Sequence, residues 1–396
     1  MSDRATADVP VSQQSPESAT LALPGVPWYL WCAAIAVLAS MVGVHWDISW
    51  HRSIGRDTFW TPAHVAIYLC GVLAGIASGF LILSTTFGGP GAPRNEAVKI
   101  WGFRGPLGAF ICAWGGIAML ASAPFDNWWH GAYGLDVKIL SPPHVVLAAG
   151  LISIQLGALI LILGHMNRAE GRLRKKLDGL FLYVGGMLLV ALLVVFAEHI
   201  FRIVMHTARM YRTVSLVVPI ILAGVARASG KRWATTAVVG IYTAFLLGLL
   251  WMLPLFPAEP KLGPVYHPVK QFIPMGFPLL LIVPAVALDL LSPRVAGWNK
   301  WLQAAAVGAA FLAIFVAVQW PFANFLMLPG ARNWFFGSHW FDYATHPSSY
   351  NARYLFLPLE KTAGQFWGGM ASALAAAIVS TRVGIGWGEW MRTVRR

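Results

Sequence analysis

Long apolar runs separated by short polar breaks make up most of this sequence. Runs long enough to span a bilayer fall at 28–46, 62–86, 104–124, 142–164, 179–197, 213–228, 234–256, 272–291, 302–322 and 364–382. A helix of about 20 apolar residues crosses the hydrocarbon core of a bilayer. Within that core the backbone must satisfy its own hydrogen bonds, which helices do. The pattern therefore predicts an all-α, polytopic bundle of about ten transmembrane helices, with 213–228 the weakest of the runs. Residues 1–25, rich in Ser, Pro and Gln, are expected to be a disordered tail. No basic stretch or small-residue cleavage site precedes the first run, so it reads as a signal anchor.

Composition agrees with the pattern. With 57% hydrophobic residues, 11% charged residues and a mean hydropathy of +0.63, a soluble domain is excluded. The net charge of +13 resides largely in connections between spans. Arg168, Arg172, Arg174, Lys175 and Lys176 form one cluster, Arg227, Lys231 and Arg232 a second, and Arg392, Arg395 and Arg396 a third. All three share one side if the N-terminus is cytoplasmic, as the positive-inside rule favours. Basic residues dispersed among hydrophobic spans suit anionic lipid and argue against a nucleic-acid partner.

Two polar segments repeat each other. The first runs from Asp47 through Trp50, His51, Gly55 and Asp57 to Pro62 and His64; the second from Asp126 through Trp129, His130, Gly134 and Asp136 to Pro142 and His144. Trp, His, Gly and Asp follow the leading acid at the same intervals in both copies. By the span pattern each segment is the tip of a helical hairpin, and both hairpins run the same way, so the duplication is parallel. Residues four apart share a helix face, which brings Asp47 to His51 and Asp126 to His130. A proline at the next helix start places His64 or His144 in its first turn. One carboxylate and two imidazoles form a ligand set suited to Cu, Fe(II) or Zn, with positions left open. Asp57 and Asp136 are candidates to orient a ligand imidazole.

The stretch Asp47-Ile-Ser-Trp-His51-Arg-Ser-Ile-Gly-Arg56-Asp57-Thr58-Phe-Trp-Thr61-Pro62-Ala-His64 closely resembles the metal-binding segment of the C subunit of particulate methane and ammonia monooxygenases. The second copy resembles the segment that follows in that subunit, with Asp126 standing where the family has Asn and His130 and His144 matching its two histidines. The likeness covers roughly residues 28–165. It implies a copper site in each set. The positive-inside topology puts both tips on the outer face, and a bacterial inner membrane is the expected location. The resemblance also implies partner subunits or a periplasmic copper protein and quinol as reductant; a homo-oligomer is a further expectation. The expected activity is hydroxylation of a small apolar substrate with dioxygen. A non-catalytic copper-handling protein, for assembly, storage or transport, is the competing reading; almost purely apolar later spans count against transport.

Three parts follow from this reading: the tail, the duplicated hairpins over 26–166, and further spans with outer loops over 167–396. In the last part His199, Arg202, His206 and Arg209 fall near one face of an expected amphipathic outer helix. His339, Asp342 and His346 sit in an aromatic-rich outer connection. These histidines and Asp342 are candidate auxiliary ligands. His165 reads as a solvated helix end and His267 as loop. Cys32, Cys70 and Cys112 read as small buried apolar residues. Gly71, Gly75 and Gly79 read as a close-packing row. The Pro-rich stretches 253–277 and 321–358 read as ordered outer loops or re-entrant caps.

Overall fold

The computed structural model describes residues 25–55, 58–88, 97–134, 141–261, 269–337 and 356–395. Helices α1 (Trp28–Ser53) and α2 (Pro62–Phe87) form one hairpin, and α3 (Leu107–Tyr133) and α4 (Pro142–Met166) form the next. A short two-stranded ribbon, β1 (Val98–Ile100) paired antiparallel with β2 (Phe103–Gly105), lies between them. Then come α5 (Gly171–Val195), the single turn α6 (Ala197–Ile200), α7 (Ala208–Ser229), α8 (Ala234–Met252), α9 (Ile282–Val295), α10 (Lys300–Met327) and α11 (Ala363–Thr393). Among the described residues nine helices, all but α6 and α9, are long and apolar enough to cross a bilayer. The chain is an all-α, multi-pass membrane protein.

The weakest run, 213–228, is a full helix, α7, as expected. Two other expectations need correction. The run at 272–291, expected to be a span, is not one continuous helix: it is irregular until a turn at Leu281, and α9 begins at Ile282. Non-helical backbone at that depth survives only if its polar groups find partners. They do. Leu279 N–H donates to the Tyr242 hydroxyl midway along α8 (3.2 Å), and Leu280 N–H to Gln319 Oε1 on α10 (2.9 Å). Pro274 and Pro278 have no N–H to satisfy. Of the stretch 253–277, residues 253–261 and 269–277 are described, and they pair through Ala258 N–H to Lys270 O and Phe272 N–H to Phe256 O; α10 runs through Pro321 to Met327 where an outer loop was expected.

Packing is closest where glycines face one another. A Cβ on Gly150 of α4 would stand 2.8 Å from Gly115 O and 2.9 Å from Met119 N on α3. One on Gly157 would stand 2.7 Å from both Cys112 N and Gly108 O. The expected row on α2 behaves otherwise: Gly71 meets Met119, but Gly75 and Gly79 face open space and are no packing seam. The outer faces of α2 and α3 are apolar, with Val72, Ile76, Ile117 and Leu120 all more than half exposed, as a lipid-facing surface should be.

The basic clusters meet at one end of the bundle. Arg227 pairs with Glu389 (2.9 Å), Lys231 with the buried Asp178 (2.8 Å), and the Asn167 amide donates to the Met391 and Val394 carbonyls. The tips of both duplicated hairpins lie at the opposite end.

Candidate metal centres

The repeated residues build the two hairpin tips in the same way. Gly55 and Gly134 both adopt φ +88°, a conformation that favours glycine and breaks off the preceding helix. The following helices start at Thr61 and Ser141, each an extended N-cap whose hydroxyl accepts from the backbone N–H of His64 or His144 (3.5 and 3.4 Å), with proline next in line. His51 and His130 therefore end up in the last turn of one helix and His64 and His144 in the first turn of the next.

In each tip the acid is the hub. Asp47 Oδ2 stands 3.7 Å from His51 Nε2, and its Oδ1 3.3 Å from His64 Nε2. Asp126 Oδ2 stands 3.4 Å from His130 Nε2, and its Oδ1 3.5 Å from His144 Nε2. The structure thus brings together all six residues expected as ligands, three and three, with the same atoms facing each other. Among the described residues no group of three His, Cys, Asp or Glu side chains, as placed, could hold a metal ion. The trios are converging but open.

The spacing carries chemical information. N–H···O hydrogen bonds run about 2.7–3.2 Å, and charged imidazolium–carboxylate pairs are shorter still. All four contacts exceed this. Two donors each about 2.0–2.2 Å from one tetrahedral ion would stand roughly 3.3–3.6 Å apart. Asp47 Oδ1 and Asp126 Oδ1 are also buried without a hydrogen-bond partner, at matching positions in the two copies. A buried carboxylate oxygen left so is costly.

His64 sharpens the point. Its Nδ1 lies 3.0 Å from the Thr58 carbonyl oxygen, which can only accept, so Nδ1 carries the proton. If His64 is neutral, Nε2 presents its lone pair to Asp47 Oδ1, and a cation between the two would make the contact favourable; if it is protonated, the two form an ion pair. Were His64 to bind a metal, the Thr58 carbonyl would be the outer partner that fixes its tautomer, a role the sequence reading did not assign. Asp57 and Asp136, the expected orienting acids, lie outside the described residues.

The two copies differ in their surroundings. The end of α1 is clasped by the 269–281 segment: Ser49 Oγ donates to Ile273 O, Ile273 N donates to Ser53 Oγ (both 2.7 Å), and Arg52 donates to Pro274 O. Trp50 packs on Phe272, over a cluster of Ile54, Leu253 and Ala258. Among the described residues its counterpart Trp129 makes its ring contacts within its own helix, with Phe125, Trp128 and Tyr133. Ser53→Ala strands the Ile273 N–H in a fully buried position, so a loss of about 1–3 kcal/mol is expected. Ser122→Ala, whose hydroxyl bonds only Met119 of the same helix, should lose less. Amide exchange at Ile273 and thermal unfolding of both variants measure the difference.

The auxiliary candidates fare differently. His199 and His206 do not share a helical face, because the expected amphipathic helix is broken. Phe201 is extended, 202–204 is a 3-10 turn, and Thr207 caps a new helix through Met210 N. His206 is sandwiched between Trp320 and Phe356, bonded to the Trp320 carbonyl (3.2 Å), and burial holds its imidazole below the ordinary value against that bond. His199 packs edge-on against Phe196. Neither joins a trio. His339, Asp342, His346 and His267 lie outside the described residues, as does the tail at 1–24. His165, expected to be solvated, is half-buried with its ring bonded to Tyr29 (3.1 Å). Cys70 and Cys112 are buried as expected, and Cys32 is half-buried. One histidine received no reading from the sequence. His45 is 3% exposed and lines a cavity, and only its place six residues before His51 in an apolar run could have marked it.

Comparison of the chain with protein-family models, with curated proteins and with solved structures yields no match.

Proposed function

We propose that this chain is a copper-binding membrane protein that acts as, or within, a copper-dependent monooxygenase hydroxylating a small apolar substrate with dioxygen. The metal part of this reading is carried by one observation: in both hairpin tips a buried acid oxygen without a hydrogen-bond partner faces an imidazole nitrogen at 3.3 or 3.5 Å, longer than the usual charged pair and close to the spacing of two donors on one ion. The choice of copper and of oxygen chemistry comes from the resemblance of residues 47–64 to the monooxygenase C subunit. Iron or zinc would suit the same donors.

Asp47, His51 and His64 would hold one ion and Asp126, His130 and His144 the other. Copper, when bound, supplies the one-electron chemistry that dioxygen activation requires. The chain's own residues do the remainder. Each aspartate offsets ion charge near the membrane, where an unpaired carboxylate costs a few kcal/mol. The Thr58 carbonyl holds the His64 proton on Nδ1 and so keeps Nε2 available to bind. Trp50 packs on Phe272 at the helix end that carries the first site, and the second stands beside the lipid-facing side of α3, a route for an apolar substrate from the bilayer. The basic end would face the cytoplasm of a bacterial inner membrane, and the hairpin tips the outer side.

The test is oxygen uptake by copper-loaded protein with a quinol reductant and short alkanes, alkenes or ammonia. Uptake coupled to hydroxylated product, and lost in His51→Ala or His130→Ala, is the expected result. Tightly bound copper with no uptake on any of these substrates would overturn the enzyme reading and favour copper handling.

A further inference from the structure

Apart from the hairpin tips, the molecule holds a cavity of about 80 Å³ between α1, α5, α8 and the irregular segment before α9. Its walls are mostly apolar, with Val190, Leu193, Val194, Leu246, Phe277 and Leu326 among them. Two buried polar side chains line it. His45, on the side of α1 away from Asp47, donates from Nδ1 to the Met41 carbonyl (2.8 Å). That bond fixes the proton on Nδ1 and leaves Nε2 as an acceptor. Tyr242 accepts at its hydroxyl from Leu279 N–H, which leaves the hydroxyl proton to donate.

We propose that this cavity is a binding site for a small neutral molecule bearing one hydroxyl on an apolar body, of the size and kind of a phenol. The hydroxyl gives its proton to His45 Nε2 and accepts from the Tyr242 hydroxyl, and the apolar body fills the pocket. No acidic side chain lines the cavity, so a cationic ligand has no partner there. Arg202 also lines it, with Nη1 on the Met327 sulfur, but a carboxylate ligand would set its lone pairs against the His45 lone pair. A volume of 80 Å³ holds roughly five to eight water-sized spheres, which matches seven or eight heavy atoms. The site is separate from the metal trios and does not depend on the function proposed for them.

The experiment uses the full chain in lipid nanodiscs and follows the ¹⁹F signals of 4-fluorophenol, fluorobenzene and 4-fluorobenzoate. Saturable binding of 4-fluorophenol is expected, about tenfold tighter than fluorobenzene, with no competition from the benzoate. His45→Phe and Tyr242→Phe should each remove that preference while leaving fluorobenzene binding unchanged. Ala197→Trp, which fills the pocket, should abolish binding of both 4-fluorophenol and fluorobenzene and so exclude partition into lipid. Equal binding of phenol and benzene probes, preference for the benzoate, no saturable phenol binding, or wild-type binding by Ala197→Trp would each overturn the proposal. The probe comparison on the unmodified protein decides the matter even if a variant fails to fold.

Discussion

Asp47→Asn is expected to weaken copper binding at the first site by more than about 100-fold, beyond the roughly 10–100-fold cost of losing an outer partner. The second site should keep its affinity, since Asp126, His130 and His144 share no residue with the first. The variant should also reverse sign with metal. In the metal-free protein the Asn amide can donate to Nε2 of a neutral His64, which a carboxylate cannot do. Stability without metal should therefore hold or rise by up to about 1 kcal/mol. With copper present it should fall, because binding to the native state alone stabilises it. Thermal unfolding with and without a chelator measures both arms. A plain Asp–imidazolium ion pair predicts destabilisation in both conditions, so the sign of the chelated arm separates the two accounts.

Gly150→Leu is expected to abolish the second site and spare the first. The new Cβ would stand under 3 Å from Gly115 O and Met119 N, backbone atoms that can yield only if α3 and α4 move apart. Overpacking of this kind costs about 1–3 kcal/mol, sometimes more. His144 lies on α4 less than two turns before Gly150, and Asp126 lies on α3, so separating the helices opens the His144–Asp126 contact. The expected outcome is one copper per chain in place of two, with a lowered unfolding temperature. Gly75→Leu on α2 is the control. Its Cβ meets nothing within 4 Å, so copper content and stability should stay as they were or improve slightly through helix propensity.

Much of the architecture was legible in the sequence because a bilayer demands long apolar helices, and hydropathy reports such helices directly. The candidate trios were legible for a different reason. Duplication wrote the same Asp, Trp, His, Gly, Pro and His pattern twice, and helix geometry turns that spacing into proximity. Legibility failed where tertiary partners override local pattern. The run at 272–291 looks like a helix, yet its first part stays non-helical because Ser53, Tyr242 and Gln319, distant in sequence, satisfy its N–H groups. The row of His199, Arg202, His206 and Arg209 has helical period, but Trp320 and Phe356 hold His206 in place while Thr207 starts a new helix. Gly75 and Gly79 carry a packing spacing and face open space, since spacing alone does not say which side of a helix has a neighbour. The asymmetry between the two copies was also hidden, because the clasp on α1 comes from residues more than two hundred positions away.

X-ray absorption at the copper edge, on protein purified with its metal and quantified per chain, tests the central claim most directly. The account predicts close to two coppers, each with two imidazole nitrogens and a carboxylate oxygen at about 2.0–2.2 Å, and the loss of one copper in Asp126→Asn. Protein that takes up no metal, or whose copper is bound through sulfur, would contradict it.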